Sequence, residues 1–515
     1  MRIRVIGLVV CALALAAAES SVRAQSRAPK FGPAFAEIDQ LMKRFAEEQH
    51  VPGIAYGVLV DGTLVHTGAF GVREIAGKTP VDNDTVFRIA SMTKSFTALC
   101  ILKLRDEGKL SLDDPAERYV PELAGLPYPT TDSPKLTIRH LLSHSTGFPE
   151  DNPWGDQQLS KTEAEFTAML KAGIPFSTAP GTNYEYSNFG FAILGRVVTR
   201  ASGLKYADYV KTNILAPLGM NATTLEPASV PKDKIAHGYR WEDNTWKEEP
   251  PLPDGAFGSM GGMVTSTRDL GKYVGYLMSA WPPRDGPETG PVKRSSLREM
   301  QQIQRSRPAT ATGGGNAPLS LNSGGYGYGL GIRQTCEYRS IVSHSGGLPG
   351  FGSQMRWLTD EGVGFIAMGN LTYTSWGGVL DQATAALAKT GALTRRMPVP
   401  SKSLLAARDD VTRLITNWDD ALADRIAAVN LYLDQSRDRR RRQIEELKTQ
   451  VGSNCRVDDP FDVENALRGQ WNLKCDRGTL RVAITLAPTM PPKVQYLNVT
   501  TLSPAATASA RPCGG

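Results

Sequence analysis

The chain has few of the residues that metal sites and histidine-dependent hydrolases require. It contains 6 cysteines and 6 histidines in 515 residues, and no two cysteines stand at the short spacing of metal ligands. A G-x-S-x-G motif is absent, so a Ser-His-Asp hydrolase lacks its usual signature. His140 and His144 are four residues apart, but RHLLSHSTG holds no acidic residue or cysteine to join them, which favours a hydrogen-bonded pair over a zinc site. We therefore expect no metal and no cofactor.

An excess of one charge sign is also missing. The net charge is +6, which is small for this length, and the lysines and arginines do not form a stripe, so nucleic-acid binding has no electrostatic support. The basic run 439–442 precedes Glu445 and Glu446, which lie one helical turn further on. This spacing indicates a solvated, charge-paired helix face.

Long apolar runs are absent after the first 24 residues. Residues 1–4 are MRIR, residues 5–18 are apolar, and small or aliphatic residues precede Gln25, which predicts a secretory signal peptide over residues 1–24. A lipoprotein signal ending at Cys11 is disfavoured, because Val10 is bulkier than the small residue such sites need. The apolar run is too short to span a membrane, and no later segment is long enough. We expect a periplasmic or secreted protein without a transmembrane segment.

Five cysteines remain after the signal peptide. Exported proteins meet oxidising conditions, and Cys455 and Cys475 flank one compact segment, so they are the expected disulfide. Cys100 lies in an apolar helix pattern and is expected to be a small buried side chain. The pairing of Cys100, Cys336 and Cys513 stays open.

The length and the order of patterns predict two domains. The first, residues 31–395, begins with an amphipathic helix and a hairpin of strands 53–60 and 63–70 around Asp61-Gly62. Helices follow over about 110–290, and the Gly-, Pro- and Ser-rich segment 305–325 is expected to be a surface loop. Four strand patterns then occur at 328–333, 340–344, 352–358 and 364–369. This order predicts an α/β (α+β) fold with one sheet covered by helices.

The second predicted domain spans residues 401–503 and has a small α+β pattern of unknown role. Apolar residues recur at helical spacing over 411–433, which predicts one long helix. Alternating apolar residues predict strands at 480–486 and 494–499. Residues 504–515 are expected to form a disordered tail.

Three stretches carry residues suited to nucleophilic catalysis, and the first is SMTK at 91–94. A serine hydroxyl is a weak nucleophile unless a base lies within hydrogen-bond reach. On a helix, Ser91 and Lys94 share one face, and burial would favour a neutral lysine able to accept the serine proton. The alternative is a capping serine beside a surface lysine.

The second stretch is YSN at 186–188, between a Pro-Gly turn and an apolar helix. Tyr186 is expected to share the proton shuttling, with its pKa lowered by a neighbouring ammonium. The amide of Asn188 can bond a substrate carbonyl while it holds Lys94. The alternative is that Tyr186 only packs.

The third stretch is HSGG at 344–347, which ends an apolar strand at a glycine turn. Such a strand edge can receive a substrate through His344, Ser345 and Gly346, and the N–H of Gly347 can complete an oxyanion hole. An ordinary hairpin corner is the alternative interpretation.

In this order the stretches resemble the serine β-lactamase and penicillin-binding family, with S-x-x-K, Y-x-N and H-x-G elements. The Y-x-N form resembles the branch of class C β-lactamases, D-Ala-D-Ala carboxypeptidases, D-aminopeptidases and esterases of the same fold. The resemblance spans Phe31 to Lys389. It also includes TIRHLLSHSTGFP at 137–149, GGMVTSTRDL at 261–270 and YGYGLGI at 326–332.

The resemblance implies an antiparallel sheet flanked by helices with a helical subdomain, and a serine hydrolase that acts through an acyl-enzyme on Ser91. Lys94 and Tyr186 would move the proton, and no cofactor would be needed. The family usually places Lys-Thr-Gly or His-Thr-Gly, followed by another hydroxyl residue, where this chain has His344 to Gly347. We therefore expect esterase or peptidase activity on small ester, amide or peptide substrates, with weak β-lactam hydrolysis. A non-catalytic penicillin or cell-wall-peptide binding protein is the alternative, and the oligomeric state stays open.

Overall fold

The computed structural model describes residues 27–314 and 317–502. The chain divides into two units, one ending at Arg395 and one beginning at Arg396. The predicted signal peptide over 1–24 and the predicted tail over 504–515 lie outside the described residues. Within the described residues, no helix combines the length and the apolar character needed to cross a membrane.

The first unit contains a large sheet and several helices. Its helices are α1 Gly32–Glu48, α2 Thr93–Asp106, α3 Ile138–Leu142, α4 Glu163–Ala172, α5 Asn188–Ser202, α6 Tyr206–Val210, α7 Gly258–Gly261, α8 Thr267–Met278, α9 Arg294–Met300 and α10 Gly377–Lys389. Its strands are β1 Gly53–Val60, β2 Thr63–Glu74, β3 Thr79–Pro80, β4 Phe87–Arg88, β5 Tyr239–Glu242, β6 Thr245–Glu248, β7 Val264–Thr265, β8 Arg305–Gly314, β9 Ala317–Tyr326, β10 Gly331–Thr335, β11 Ile341–Leu348, β12 Phe351–Leu358 and β13 Val363–Gly369.

Nine strands form one sheet in the order β3-β2-β1-β13-β12-β11-β10-β9-β8. Neighbouring strands are antiparallel, and β1 lies between β2 and β13. The turn from β1 to β2 has φ of 48° at Asp61 and 82° at Gly62, which are the positive angles that the Asp-Gly pair predicts. This sheet with its flanking helices confirms the predicted fold class.

Helices cover both faces of the sheet, and strand β1 shows why. Its sequence GIAYGVLV is apolar throughout, and every residue is buried, as expected for a strand covered on both faces. Ile54 and Val58 pack with residues of α1 and α10. Ala55 and Leu59 point to the other face and belong to the core that includes α2, α5 and α8. The start of α2 and the residues just before it, which together carry SMTK, are therefore anchored in the larger core.

The segment 305–325 is not the surface loop that its composition predicts. It forms most of a long hairpin, β8 and β9, and β9 pairs with β10 on its other side. The glycines allow neighbouring strands to approach closely. A Cβ on Gly324 would overlap the Ile332 carbonyl oxygen, and a Cβ on Gly325 would overlap the Arg305 carbonyl oxygen. Glycine content therefore indicated loop flexibility where the fold needs room between strands.

Up to residue 502, the second unit has three helices and a four-stranded antiparallel sheet in the order β14-β15-β16-β17. Its elements are α11 Lys402–Thr416, α12 Asp420–Ile426, α13 Arg437–Val451, β14 Arg456–Asn465, β15 Arg468–Lys474, β16 Thr479–Leu486 and β17 Val494–Thr501.

The single long helix predicted over 411–433 is wrong. Asn417 has extended backbone angles that end α11, and the Asp419 carboxylate accepts the Ala421 N–H to begin α12. Val429 is fully exposed and Leu433 is 82% exposed. An Asx-type cap therefore outweighed the apolar spacing, which continued by chance beyond Ile426.

Cys455 and Cys475 form a disulfide that closes a segment of 20 residues in the second unit. Replacing both with serine should lower the free energy of unfolding of this unit by about 3 kcal/mol, because the unfolded chain regains the freedom of that loop. Hydrogen exchange of β15 and β16 amides in the full-length protein, followed against urea, measures the change. Unchanged exchange would contradict the stabilising role. Cys100, by contrast, is a buried free thiol.

Candidate active site

Ser91 lies in a short 3-10 turn, Ala90–Met92, which leads directly into α2. Ala90 has φ of 47°, a left-handed conformation that residues with a Cβ rarely adopt. The Thr93 hydroxyl donates to the Ala90 carbonyl oxygen at 2.6 Å and holds the turn closed. Strain of about 1 kcal/mol or more is thus maintained next to the serine, a feature common at functional sites.

The amine of Lys94 lies directly beside the hydroxyl of Ser91. The Nζ–Oγ distance is 3.0 Å, and Nζ also donates to Asn188 Oδ1 at 2.6 Å and to the Met260 carbonyl oxygen at 2.8 Å. Lys94 is 0% exposed and Ser91 is 9% exposed. The alternative of a surface lysine beside a capping serine therefore does not describe this pair.

Burial lowers the pKa of Lys94 to about 7. The carboxylates of Asp151, Asp156 and Glu150 oppose this shift, because negative charge favours the ammonium. Desolvation remains the larger effect. Near neutral pH, a substantial fraction of Lys94 is therefore an uncharged amine with a free lone pair.

Tyr186 reaches the same pair from a loop. Its ring centroid is 4.8 Å from Lys94 Nζ, and its phenol is near enough to the Ser91 hydroxyl for that group to influence its pKa. Burial raises the pKa of Tyr186 well above 10, and the Ser91 hydroxyl lowers it only in part. The predicted downward shift is therefore wrong: the phenolate loses its hydration, and a largely neutral Lys94 supplies little positive charge in return.

A carboxylate fixes the start of α5 and with it Asn188. Asp151 accepts the N–H groups of Asn188 at 2.7 Å and Phe189 at 2.8 Å, and the Ser187 hydroxyl at 3.2 Å. These N–H groups belong to the helix N-terminus, where a negative charge is favourable. The amide oxygen of Asn188 is thereby held toward Lys94, while its buried Nδ2 has no hydrogen-bond partner among the described residues.

His344 is a buried, neutral residue of strand β11. Its Nε2 lies 2.9 Å from the Tyr326 hydroxyl and its Nδ1 lies 2.6 Å from the Ser345 carbonyl oxygen. Burial, with a smaller contribution from Lys94, lowers the pKa of His344 to about 3. His344 therefore offers no positive charge at neutral pH, and the side chain of Ser345 is exposed.

The glycines of β11 bring this strand against the turn of Ser91. A Cβ on Gly346 would overlap the Ile89 carbonyl oxygen, and one on Gly347 would lie 2.6 Å from the Tyr373 ring. Strand β10 pairs with β11 only through residues 341–343, so β11 has no β10 partner along 344–348. This strand edge and the Ser91 turn border the same site.

The two histidines of RHLLSHSTG do not bond to each other. His140 Nδ1 accepts the Thr137 N–H at 3.2 Å and so caps α3, whereas His144 Nδ1 accepts the N–H of Ser187 at 3.0 Å. Across the described ranges, no group of histidine, cysteine and acidic side chains is placed to hold a metal ion. The predicted pair is thus two separate loop contacts.

The comparisons with known proteins agree with this geometry. A family model described as Beta-lactamase matches residues 38–389. The chain belongs to the beta-lactamase family. Members of this family are generally serine hydrolases, and SMTK, YSN and HSGG all lie within the matched residues.

Within the beta-lactamase family, the chain is similar to several curated proteins. Penicillin-binding protein 4* of Bacillus subtilis (strain 168) is 31% identical over 199 residues, which are 38% of this chain and 42% of that protein. Beta-lactamase-like protein 2 of Dictyostelium discoideum is 30% identical over 264 residues, 49% of this chain and 47% of that protein. The chain thus spans about half the length of the curated relatives it matches.

A solved structure supports the fold. The octameric penicillin-binding protein homologue from Pyrococcus abyssi covers 91% of this chain and 94% of its own, with a TM-score of 0.59 and 23% sequence identity. At that identity the similarity shows a shared beta-lactamase-type fold alone.

Several residues around this family's site were missed by sequence reasoning. The Met260 carbonyl oxygen, which accepts a hydrogen bond from Lys94, is 166 residues away from it in the sequence. Asp151, which caps α5, is 37 residues away from Asn188. Neither contact leaves a signal in the local pattern. The stretch with His144 did stand out in the sequence, but there we expected a hydrogen bond between His140 and His144 in preference to a zinc site.

Proposed function

We propose that this chain is a serine hydrolase that cleaves ester or amide bonds of small substrates through an acyl-enzyme on Ser91. One observation carries the proposal: the fully buried amine of Lys94 lies 3.0 Å from Ser91 Oγ and has a pKa of about 7. A neutral amine at that distance can accept the serine proton as the hydroxyl attacks.

In the acylation step, Ser91 Oγ bonds to the substrate carbonyl carbon while its proton passes to Lys94 Nζ. The oxyanion lies between the N–H groups of Ser91 and Gly347, the two donors that border the site. The bond to the leaving group then breaks, and the proton reaches that group through the Tyr186 phenol. Water next attacks the acyl carbon, and its proton passes through Lys94 and Tyr186 to Ser91 Oγ. The bond between Oγ and the acyl carbon then breaks, which releases the acid and free Ser91.

Tyr186 acts in this scheme as a neutral phenol. Because its pKa is well above 10, it relays a proton and does not serve as a phenolate base. Tyr186→Phe should lower kcat by about 10²-fold, as expected when one proton-transfer partner is lost. Initial rates with p-nitrophenyl butyrate measure this loss. Tyr184→Phe is the matched control and should stay within a few-fold of wild type, whereas equal rates for both variants would contradict the relay.

The pH dependence should follow Lys94. The amine is active when deprotonated, so kcat/KM should rise with pH and level off above about 7. His344 and His144 cannot produce this limb, because burial holds the pKa of each far below 6.5. Steady-state ester hydrolysis from pH 5 to 9, corrected with the Ser91→Ala protein, gives the profile. A flat or falling curve would argue against a neutral lysine base.

The substrate preference follows from the charge on β11. A neutral His344, an exposed Ser345 side chain and a glycine at 347 provide little grip on a substrate carboxylate. We therefore place small esters and D-amino-acid amides or peptides above β-lactams, with weak β-lactamase activity at most. The Nδ2 of Asn188 is the donor that we assign to a substrate carbonyl other than the one that Ser91 attacks.

A non-catalytic penicillin or cell-wall-peptide binding protein is the second candidate. Two similar proteins, penicillin-binding protein 4* and the Pyrococcus abyssi homologue, are named as penicillin-binding proteins or their homologues, which favours this candidate. Hydrolysis of p-nitrophenyl esters, D-amino-acid amides, D-Ala-D-Ala peptides and a cephalosporin separates the candidates. Turnover of esters or amides supports the hydrolase, and binding without turnover of any member supports the binder.

We also propose that the protein is exported to the periplasm or the medium. The apolar run of residues 5–18 supports export, and the disulfide between Cys455 and Cys475 suits an oxidising compartment.

A further inference from the structure

His144 bonds to the chain on both sides of Tyr186. Its carbonyl oxygen accepts the Glu185 N–H at 2.9 Å, and its imidazole Nδ1 accepts the Ser187 N–H at 3.0 Å. The N–H of Tyr186 itself is taken by Glu150 Oε2 at 3.1 Å. Three consecutive backbone N–H groups, 185 to 187, are thus fixed by side chain or backbone groups of residues 144 and 150.

The imidazole of His144 also packs against the ring of Tyr186. The ring centroids are 4.3 Å apart, with an angle of 37° between the planes. On its other sides the imidazole contacts Tyr326 at 4.5 Å and Phe191 at 5.0 Å. His144 is 0% exposed, so its imidazole is enclosed and packs directly against the ring of Tyr186.

Fold stability does not explain a histidine at this position. Because Nδ1 accepts a hydrogen bond, the proton of the neutral imidazole is on Nε2. Nε2 is buried and has no hydrogen-bond partner among the described residues. The backbone φ is 52°, which asparagine or glycine adopts with less strain. An unpaired buried donor and a left-handed backbone both oppose folding.

We propose that His144 is a positioning residue for Tyr186, and that its Nδ1 bond to Ser187 and its ring contact hold the phenol in register with Ser91 and Lys94. This inference rests on the proposed function, because the phenol needs alignment only if Ser91 reacts. Burial, with the Lys94 amine nearby, lowers the pKa of His144 well below 6.5. The residue therefore keeps the same tautomer and the same bond over the working range of pH.

Two variants test the Nδ1 bond with the ring removed from both. His144→Asn keeps an acceptor, since its Oδ1 occupies about the position of Nδ1, and His144→Gly has none. Both residues tolerate the left-handed backbone. We expect kcat for ester hydrolysis to fall by about 10²-fold in His144→Gly, the scale of a misplacement of about 1 Å, and by less than about tenfold in His144→Asn.

A double-mutant cycle with Tyr186→Phe separates positioning from a structural role. Once the phenol is absent, His144→Gly should lower kcat by less than about twofold further, because the positioned group is gone. A merely structural histidine would lower kcat by the same factor in both backgrounds, and that result would overturn the inference. Equal kcat for His144→Asn and His144→Gly would also overturn the assigned bond.

Thermal unfolding of every variant shows whether it folds. If His144→Gly fails to fold, His144→Gln replaces it, because a glutamine amide extends toward the Nε2 position and leaves Ser187 unpaired; the same loss and the same cycle are expected. Failure of the proposed function gives a different result: either the wild-type protein turns over no ester or amide, or its ester hydrolysis survives Ser91→Ala, and each of these overturns the positioning role together with the function. If Ser91→Ala is inactive but His144→Gly and Tyr186→Phe lower kcat by independent factors, only the positioning role is overturned.

Discussion

Ser91→Ala lowers kcat for ester hydrolysis by about 10⁴-fold or more, to a rate close to the uncatalysed one. Losses of this size follow removal of a nucleophile, since the remaining groups cannot form the covalent intermediate. The variant should fold normally, because the change removes a single hydroxyl, whose hydrogen-bond partner is Lys94 Nζ. Initial rates with p-nitrophenyl butyrate, with thermal unfolding in parallel, measure both expectations.

Ser95, in the first turn of α2 just after Ser91, provides the matched control. Its hydroxyl donates to the Met92 carbonyl oxygen at 2.8 Å and accepts the Tyr273 hydroxyl at 2.8 Å, so it is buried in the core. Ser95→Ala should cost about 1 kcal/mol of stability for each lost bond and leave kcat near wild type. Comparable rates for the two serine variants would remove Ser91 from the mechanism.

Lys94→Met is the second change with a large expected effect, about 10³-fold in kcat. Methionine has nearly the length of lysine but no lone pair able to take the Ser91 proton, so general-base assistance is lost. Two acceptors, Asn188 Oδ1 and the Met260 carbonyl oxygen, lose their donor, and a modest loss of stability accompanies the change.

Two comparisons give this prediction its specificity. Lys103→Met alters a lysine of the same helix that pairs with Glu107 near the surface, and it should keep wild-type kcat. Lys94→Arg keeps a donor but cannot lose its proton, so it should be as inactive as Lys94→Met. An active Lys94→Arg protein would rule out the neutral-base scheme, because its guanidinium stays charged.

The pairing of Ser91 with Lys94 was predictable because it is local. Three positions on one helical face bring the two side chains together wherever the helix lies. The convergence with Tyr186 and His344 was inferred from a family resemblance, since contacts across about 90 and 250 positions have no local signal. The pKa of Tyr186 was predicted in the wrong direction, because its sign depends on how completely the loop excludes water, and that is a property of the packed site.

In the fold, too, the features set by neighbouring residues were predictable from the sequence, and some features set by other causes were not. The turn at Asp61-Gly62 and the apolar strand β1 were predictable from turn chemistry and residue pattern. The hairpin of β8 and β9 was not predictable. Its glycines do not form a turn; they leave room for the carbonyl groups of neighbouring strands. In the second unit, the cap at Asp419 stopped a helix that periodicity alone would have continued.

The central claim is that Ser91 forms a covalent acyl bond with the substrate, and intact mass spectrometry tests it most directly. The full-length protein is mixed with a fluorescent penicillin or with p-nitrophenyl acetate, quenched in acid, weighed, and then mapped by peptide. We expect one added acyl group per chain, located on the peptide that contains Ser91 and missing from Ser91→Ala. No adduct with either reagent, or an adduct on a different residue that survives Ser91→Ala, would contradict the account.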